Sequence, residues 1–185
     1  MKMGIMVLLL ALTLSGTVEA QKLFFTRNGH VDFYSSTPME NIKADNDKVT
    51  SIVNVTTGDL EFSVLSMAFQ FEKALMQEHF NENYMESSKY PKSTFKGKIS
   101  NLDQIKFDED GTYPAEVAGD LTIHGVTRNI SAKGQIIVKD GKFKAESSFI
   151  VKPEDYKITI PGLVRDNIAR EIKVTISNQY EPFNK

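Results

Sequence analysis

Residues 113–138, YPAEVAGDLTIHGVTRNISAKGQIIV, decide the fold class of this chain. Apolar or small side chains alternate with polar ones on both sides of the His124-Gly125 dipeptide, and a period of two is typical of strands with one buried face. Gly125 accepts the positive φ that a two-residue hairpin turn requires. The stretch therefore predicts two antiparallel strands, at 113–123 and 126–138, joined by a tight turn.

Most of the remaining chain repeats this alternation in further segments. Near its end, for example, Ile172, Val174 and Ile176 alternate with polar or charged neighbours. The other predicted strands span 23–27, 30–35, 49–55, 60–66, 92–100, 143–151 and 168–180. Turn signals such as Asn28-Gly29 and Asp140-Gly141 separate several of them, so consecutive strands are expected to pair as antiparallel neighbours.

Residues 67–85 break the strand rhythm. Apolar residues there come closer to helical spacing, and neither Gly nor Pro intervenes. We therefore predict one or two short helices, inserted between two hairpins.

About nine strands with so few helices predict an all-β fold. An open sheet of this size would leave long exposed edges, which closure into a barrel removes. The inward face mixes large and small side chains, as at Phe95, Gly97 and Ile99, and this mixture suits the strongly coiled strands of a barrel. The predicted fold is an antiparallel β-barrel with a short helical insertion.

Residues 1–20 have the three-part pattern of a secretory signal peptide. Lys2 precedes an apolar run at 5–14, and a small-residue site ends at Ala20. The run is too short to cross a hydrocarbon core of about 30 Å as a helix, which argues against the alternative of an uncleaved anchor. Cleavage after about Ala20 leaves residues 21–185 as one domain without a transmembrane segment, expected to be periplasmic or secreted.

Composition excludes several classes of protein. The chain has no cysteine, so no disulfide stabilises the predicted exported domain. It carries 22 Lys and Arg against 24 Asp and Glu, for a formal net charge of −2. This near balance gives no electrostatic reason to bind nucleic acid.

The sequence contains no motif for catalysis or cofactor binding that we recognise. His30, His79 and His124 are far apart and lack the spacing or the cysteine partners of a metal site. No G-x-S-x-G nucleophile motif is present either. We predict that the protein is not an enzyme and has no catalytic residues, no metal and no cofactor. Together with Arg128, His124 is expected to cap the hairpin turn, and an enzyme or redox accessory that uses His79 or His124 is the less favoured alternative.

The predicted barrel interior is rich in aromatic side chains, because the chain has 12 Phe and 6 Tyr but no Trp. The aromatic residues assigned to the interior are Phe25, Phe33, Phe62, Phe69, Phe95, Phe143 and Phe149. A filled core and a cavity both stay open on these grounds, since a barrel of about eight strands can hold either packed side chains or one small ligand.

Three stretches resemble the YceI-like family of exported lipocalin-like barrels, sometimes called polyisoprenoid-binding proteins. The first is HFNENYM at 79–85 followed by KYPKSTF at 89–95, which matches the family's pattern of a His, an aromatic residue and then Tyr-Pro-x-x-x-Phe. The second is the hairpin GDLTIHGVTR at 119–128, and the third is FIVKPEDYKI at 149–158. Together they cover most of residues 48–180 in the family's order and spacing.

The resemblance implies a lipocalin-like barrel whose apolar interior accepts an isoprenoid chain, such as a polyprenyl or quinone-like tail, in the envelope of a bacterium. The leading hypothesis is therefore non-enzymatic binding of a polyisoprenoid, quinone-like or other lipid. Its head group is expected to meet polar residues near His79, Tyr84 or Arg128. The residues expected to form the apolar lining are Phe33, Phe62, Phe69, Phe80, Tyr84, Phe95, Ile99, Val117, Leu121, Ile123, Phe143, Phe149 and Ile172.

The alternative is a filled barrel that acts as an envelope stress or interaction protein without a ligand. A larger residue at Gly119, which is expected to face inward, should only destabilise a filled core but should block the ligand of a hollow one. The sequence leaves open whether the protein is a monomer or a homodimer.

Overall fold

The computed structural model describes residues 22–183, most of which lie in strands. The predicted signal peptide falls on residues 1–20, outside the described part. The strands are β1 (Leu23–Ser36), β2 (Asn41–Asn54), β3 (Asp59–Leu65), β4 (Gln70–Phe71), β5 (Lys92–Ile99), β6 (Gly111–Ile123), β7 (Val126–Lys139), β8 (Lys142–Val151) and β9 (Ile172–Pro182). The helices are α1 (Ala74–His79), which continues as a π-helical turn at Phe80–Tyr84, and the 3₁₀ turns Ser66–Ala68, Leu102–Gln104, Pro153–Tyr156 and Gly162–Asn167.

Eight strands close into a barrel, and every neighbouring pair is antiparallel. Their order around the barrel is β1, β2, β3, β5, β6, β7, β8 and β9, and the pairing of β1 with both β2 and β9 closes it. The short strand β4 adds to β2 at Ala44 and Asp45. The predicted all-β, antiparallel barrel with a helical insertion is therefore confirmed.

The hairpin that indicated the fold has the predicted register. β6 and β7 pair along their whole length, from Gly111 opposite Val138 to Ile123 opposite Val126. The turn residues His124 and Gly125 both have positive φ, at 50° and 73°. Two successive positive φ values give the turn that matches the twist of paired strands.

The predicted turn at Asn28-Gly29 is wrong. Both residues lie inside β1, where the pairing with β2 shifts between Thr26 and Gly29. Gly29 allows the close approach of Asn178 on β9, whose side-chain oxygen accepts a hydrogen bond of 2.8 Å from the backbone N–H of His30. The dipeptide therefore forms a β-bulge in one long strand rather than a hairpin between two short ones.

The predicted inward face of Phe25 is also wrong, because of this bulge. An extra residue reverses the alternation, so that Phe24 faces the interior and is only 2% exposed. Phe25 lies on the outer side, where its ring centroid is 5.4 Å from that of Phe183. Two other predicted boundaries move as well, because β2 already begins at Asn41 and β9 begins only at Ile172.

One end of the barrel, which we call the floor, is packed with side chains. The aromatic rings of Phe24, Phe143 and Tyr180 meet there, with centroids 5.1 Å apart for the first pair and 4.6 Å apart for the second. Val138 and Ile99, both almost fully buried, complete the same cluster. The floor behaves as a close-packed core.

The opposite end, which we call the mouth, carries two long connections. One is the insertion (residues 66–91), in which the predicted helices begin only at Ala74 because a 3₁₀ turn and β4 precede them. The other is the capping segment (residues 152–171), which contains two 3₁₀ turns. The β1–β2 and β6–β7 turns lie at the same end, as the antiparallel order requires.

The barrel wall opens between β7 and β8 toward the mouth. Their pairing runs from Lys139 opposite Lys142 to Gly134 opposite Ser147, and within the described residues it stops there. The capping segment covers this gap, and the Arg128 Nε donates a 3.0 Å hydrogen bond to the backbone oxygen of Asp155.

Candidate ligand cavity

A cavity of about 430 Å³ lies between the floor and the mouth. All eight barrel strands contribute inward side chains to its wall, and both the insertion and the capping segment contribute at the mouth. Most of these side chains are aliphatic or aromatic, as at Val49, Ile130 and Phe149. An enclosed apolar space of this size is typical of sites for small apolar ligands, which occupy about 300–1,000 Å³.

All thirteen residues assigned to the lining from the sequence border this cavity. They are Phe33, Phe62, Phe69, Phe80, Tyr84, Phe95, Ile99, Val117, Leu121, Ile123, Phe143, Phe149 and Ile172. The strand residues among them alternate along their strands, and the barrel turns one face of every strand inward. That these side chains contact a ligand stays a prediction.

Gly119 is in phase with the inward residues Val117 and Leu121 of β6, but it is not among the residues that border the cavity. It lies opposite Gly97 in the β5–β6 ladder, and a Cβ at Gly119 would overlap the backbone oxygen of Lys96 and the Cα of Gly97. A larger residue at this position would push two strands apart whether the barrel is hollow or filled. The proposed substitution therefore cannot distinguish the two cases.

Four phenylalanines anchor the insertion to the barrel near the mouth. Phe80 stacks on Phe33 of β1 with centroids 5.5 Å apart, and it also contacts Phe69 and Phe71 at 5.5 and 5.0 Å. Such pairs contribute roughly 0.5–1.5 kcal/mol each beyond the burial of their surface. The sequence analysis missed Phe71, which lies in a two-residue strand too short to give a periodic signal.

The deepest polar group of the cavity wall is the hydroxyl of Tyr180. This residue is 1% exposed, and its hydroxyl donates a 2.8 Å hydrogen bond to Oγ of Ser51. Burial raises the pKa of Tyr180 to about 12, although the hydrogen bonds with Ser51 and Asn178 act in the opposite direction. The group is therefore neutral in the folded protein at physiological pH.

Polar groups cluster at the mouth around Glu40. Its two carboxylate oxygens accept hydrogen bonds from Lys73 Nζ at 3.2 Å and from Asn167 Nδ2 at 3.1 Å. Both hydrogen bonds lower the pKa of Glu40, and the bond from Asn167 has the larger effect. The insertion, the capping segment and the β1–β2 turn thus meet at one carboxylate.

Of the three residues expected near a head group, His79 and Tyr84 border the cavity and Arg128 does not. Arg128 instead holds the capping segment through Asp155, as described above. Glu40 and Asn167 were missed, because residues that are 127 positions apart give no joint signal in a single sequence.

His124 links the hairpin turn to both covering segments. Its Nε2 lies 2.7 Å from Glu86 Oε2 in the insertion, and its Nδ1 lies 3.2 Å from the backbone oxygen of Tyr156 in the capping segment. The Tyr90 ring packs against the imidazole with centroids 4.6 Å apart. These contacts support the predicted structural role of His124, and they extend it beyond the turn itself.

Potential metal ligands come together on the outer wall, away from the cavity. His30 Nε2 lies 3.6 Å from Asp32 Oδ2 and 3.7 Å from Asp45 Oδ1, while Lys43 Nζ already binds that Asp45 oxygen at 2.8 Å. Within residues 22–183, neither His79 nor His124 belongs to such a group. None of the helices in this range is long and apolar enough to span a membrane.

A closed antiparallel barrel with a packed floor and an apolar cavity under a covered mouth defines a lipocalin-like barrel protein. The sequence matches the model of the YceI-like domain over residues 15–180. The chain therefore belongs to the YceI-like family, as the sequence motifs indicated. No curated protein matches the chain.

Solved structures share the fold at low sequence identity. A polyisoprenoid binding domain from Saccharophagus degradans, implicated in plant cell wall breakdown, has a TM-score of 0.77 at 14% identity, over 89% of this chain and 100% of that one. BcnA of Burkholderia cenocepacia has a TM-score of 0.68 at 12% identity, over 83% and 96%. A YceI protein of Campylobacter jejuni has a TM-score of 0.59 at 19% identity, over 79% and 87%.

Proposed function

We propose that this protein binds a long apolar ligand, a polyisoprenoid, quinone-like or other lipid, in its barrel without catalysing a reaction. One observation carries the proposal: a cavity of about 430 Å³ with an almost wholly apolar wall lies above the packed floor. The polyisoprenoid binding domain from Saccharophagus degradans, which has a similar fold, supports a ligand of this class.

The physical driving force is the removal of apolar surface from water. Burial contributes about 0.8 kcal/mol for each methylene group, and the ordering of a flexible chain offsets part of that gain. A wall of Phe, Leu, Ile and Val needs no specific polar contact to hold such a chain. Selectivity for the tail would then depend on its length and shape.

We infer further that residues 1–20 direct export and are removed, so that residues 21–185 act in the periplasm or outside the cell. The charged start, apolar run and small-residue site described above support this inference. N-terminal sequencing of the mature protein should give Gln21 or a residue next to it. A mature protein that still begins at Met1 would contradict it.

The decisive experiment is native mass spectrometry of the mature protein, purified from its own envelope without detergent and followed by organic extraction. We expect a bound isoprenoid or other lipid at about one per chain, which fits a single cavity. The same spectrum separates a monomer from a homodimer.

The filled-barrel alternative makes the opposite prediction. Protein that is isolated empty, and that takes up neither polyprenyl nor quinone lipids when these are offered after delipidation, would overturn the proposed function. The uptake assay is needed because an empty preparation alone can reflect loss of ligand during purification.

A further inference from the structure

Besides tyrosines, the ionisable side chains of the described residues that border the cavity are two carboxylates and one histidine, His79. Across the described residues, the wall includes Glu40 and Glu146 but no Lys or Arg. Glu146 lies midway along β8, next to the point where its pairing with β7 ends, and Lys144 and Gln135 hold its two oxygens. Glu40 is the one at the mouth, where the polar end of a bound lipid would lie if its tail fills the apolar space beneath.

Among the described residues, no Lys or Arg borders the cavity beside Glu40. Lys73 Nζ already binds Glu40 Oε1, its side chain is 64% exposed, and it does not border the cavity. Three further polar side chains border the cavity from the insertion and the capping segment, namely Asn167, Tyr84 and His79. Asn167 is uncharged, and burial raises the pKa of Tyr84, which keeps its phenol neutral.

A shallow groove at the same end does not supply the missing charge. It contains Lys152 and Arg170, but it also contains Glu154 and Glu171. Lys152 Nζ lies 3.3 Å from Glu171 Oε1. The groove therefore carries as many acidic as basic side chains and gives a phosphate no net attraction.

We propose that the cavity selects lipids with an uncharged polar end, such as an isoprenoid alcohol or quinone, over lipids that carry a phosphate. This inference rests on the proposed function, because it concerns the head group of the same ligand. A phosphate at the mouth would lie beside the Glu40 carboxylate, and like charges at short range repel each other. An alcohol or a quinone oxygen can instead hydrogen-bond to Asn167 or Glu40 without adding charge.

The test compares two probes with the same tail, farnesol and farnesyl monophosphate, on delipidated mature protein by calorimetry. Farnesol should bind at least about tenfold more tightly than the phosphate. Glu40→Gln should reduce the difference in affinity between farnesol and the phosphate. Glu40→Lys should make the phosphate the tighter ligand. Glu61→Lys is the matched control, since it makes the same charge change on the outer wall at a residue whose side chain is 59% exposed.

The outcomes separate the two proposals. Equal binding of both probes, or tighter binding of the phosphate, overturns the selectivity and leaves the proposed function standing. Binding of neither probe overturns the selectivity, and the uptake assay with polyprenyl and quinone lipids then decides the proposed function. If Glu61→Lys also made the phosphate the tighter ligand, the selectivity would be overturned as well. The effect would then come from overall charge rather than from the mouth. If Glu40→Lys does not fold, as judged by circular dichroism, the wild-type and Glu40→Gln results decide.

Discussion

Nε2 of His124 lies 2.7 Å from Oε2 of Glu86, while Nδ1 of the same ring lies 3.2 Å from the backbone oxygen of Tyr156. The ring is largely buried, with 12% of the side chain exposed. One side chain therefore joins the hairpin turn to the insertion and to the capping segment.

Loss of these bonds should loosen the mouth. We expect His124→Asn to lower the free energy of unfolding by about 1 to 2 kcal/mol, because Asn tolerates the positive φ of this position but cannot reach both partners. Urea denaturation measures the loss, and limited proteolysis should cut the capping segment faster. Asp140→Asn is the matched control in the other tight turn, where φ is 51°. An equal loss in both variants would contradict the linking role.

Filling the cavity should abolish ligand uptake without unfolding the barrel. Ala132 borders the cavity, whereas Ala118 on the neighbouring strand is exposed. We expect Ala132→Phe to reduce uptake of a polyprenol at least about tenfold, since the new ring occupies space that the tail needs. Ala118→Phe should bind as the wild type does. Undiminished uptake by Ala132→Phe would place the ligand elsewhere.

The glycine pair between β5 and β6 should be intolerant of side chains. We expect Gly119→Ala to lower the free energy of unfolding by about 1 to 3 kcal/mol, because the new methyl group overlaps the backbone of Lys96 and Gly97. Gly162→Ala is the control: a Cβ there meets no atom within 4 Å, and its effect should stay within about 0.5 kcal/mol. Thermal or urea unfolding of both variants checks this, and a neutral Gly119→Ala would contradict the close strand approach.

Tyr180 should make stability fall in strong base. Its folded pKa is about 12 against an ordinary value of 10.0, so the unfolded chain loses this proton first as pH rises. The neutral phenol therefore contributes fully to the free energy of unfolding below pH 10. This contribution, about 2 to 3 kcal/mol, is lost between pH 10 and pH 12.

Comparison with Tyr180→Phe isolates this effect from the other groups that titrate in base. The variant should be about 1 kcal/mol less stable at pH 8, since it lacks the hydrogen bond to Ser51, and the difference should shrink or reverse by pH 12. Urea denaturation across this pH range provides the measurement. If the free energies of unfolding of the two proteins changed in parallel with pH, Tyr180 would not have a raised pKa in the folded protein.

Sequence reasoning identified the barrel because alternation is a local property. In β6 and β7 each inward residue is set by its neighbours two positions away, and the turn between them requires the positive φ that Gly125 accepts. The same rule placed the ten predicted lining residues that lie in strands on the cavity wall, whereas Phe69, Phe80 and Tyr84 lie in the insertion. It failed in β1, since Asn-Gly signals a turn and a bulge equally, and the bulge exchanged the faces of Phe24 and Phe25.

The sequence by itself determined the strand alternation, the β6–β7 hairpin and the inward faces outside β1, because these depend on contacts between residues that lie close together in the chain or across one turn. Only the tertiary structure decided that the interior is hollow above a packed floor, since an alternating strand reads the same whether it lines a core or a cavity. Tertiary structure also decided the chemistry of the mouth: Glu40, Lys73 and Asn167 meet only because the closed barrel brings together segments up to 127 residues apart.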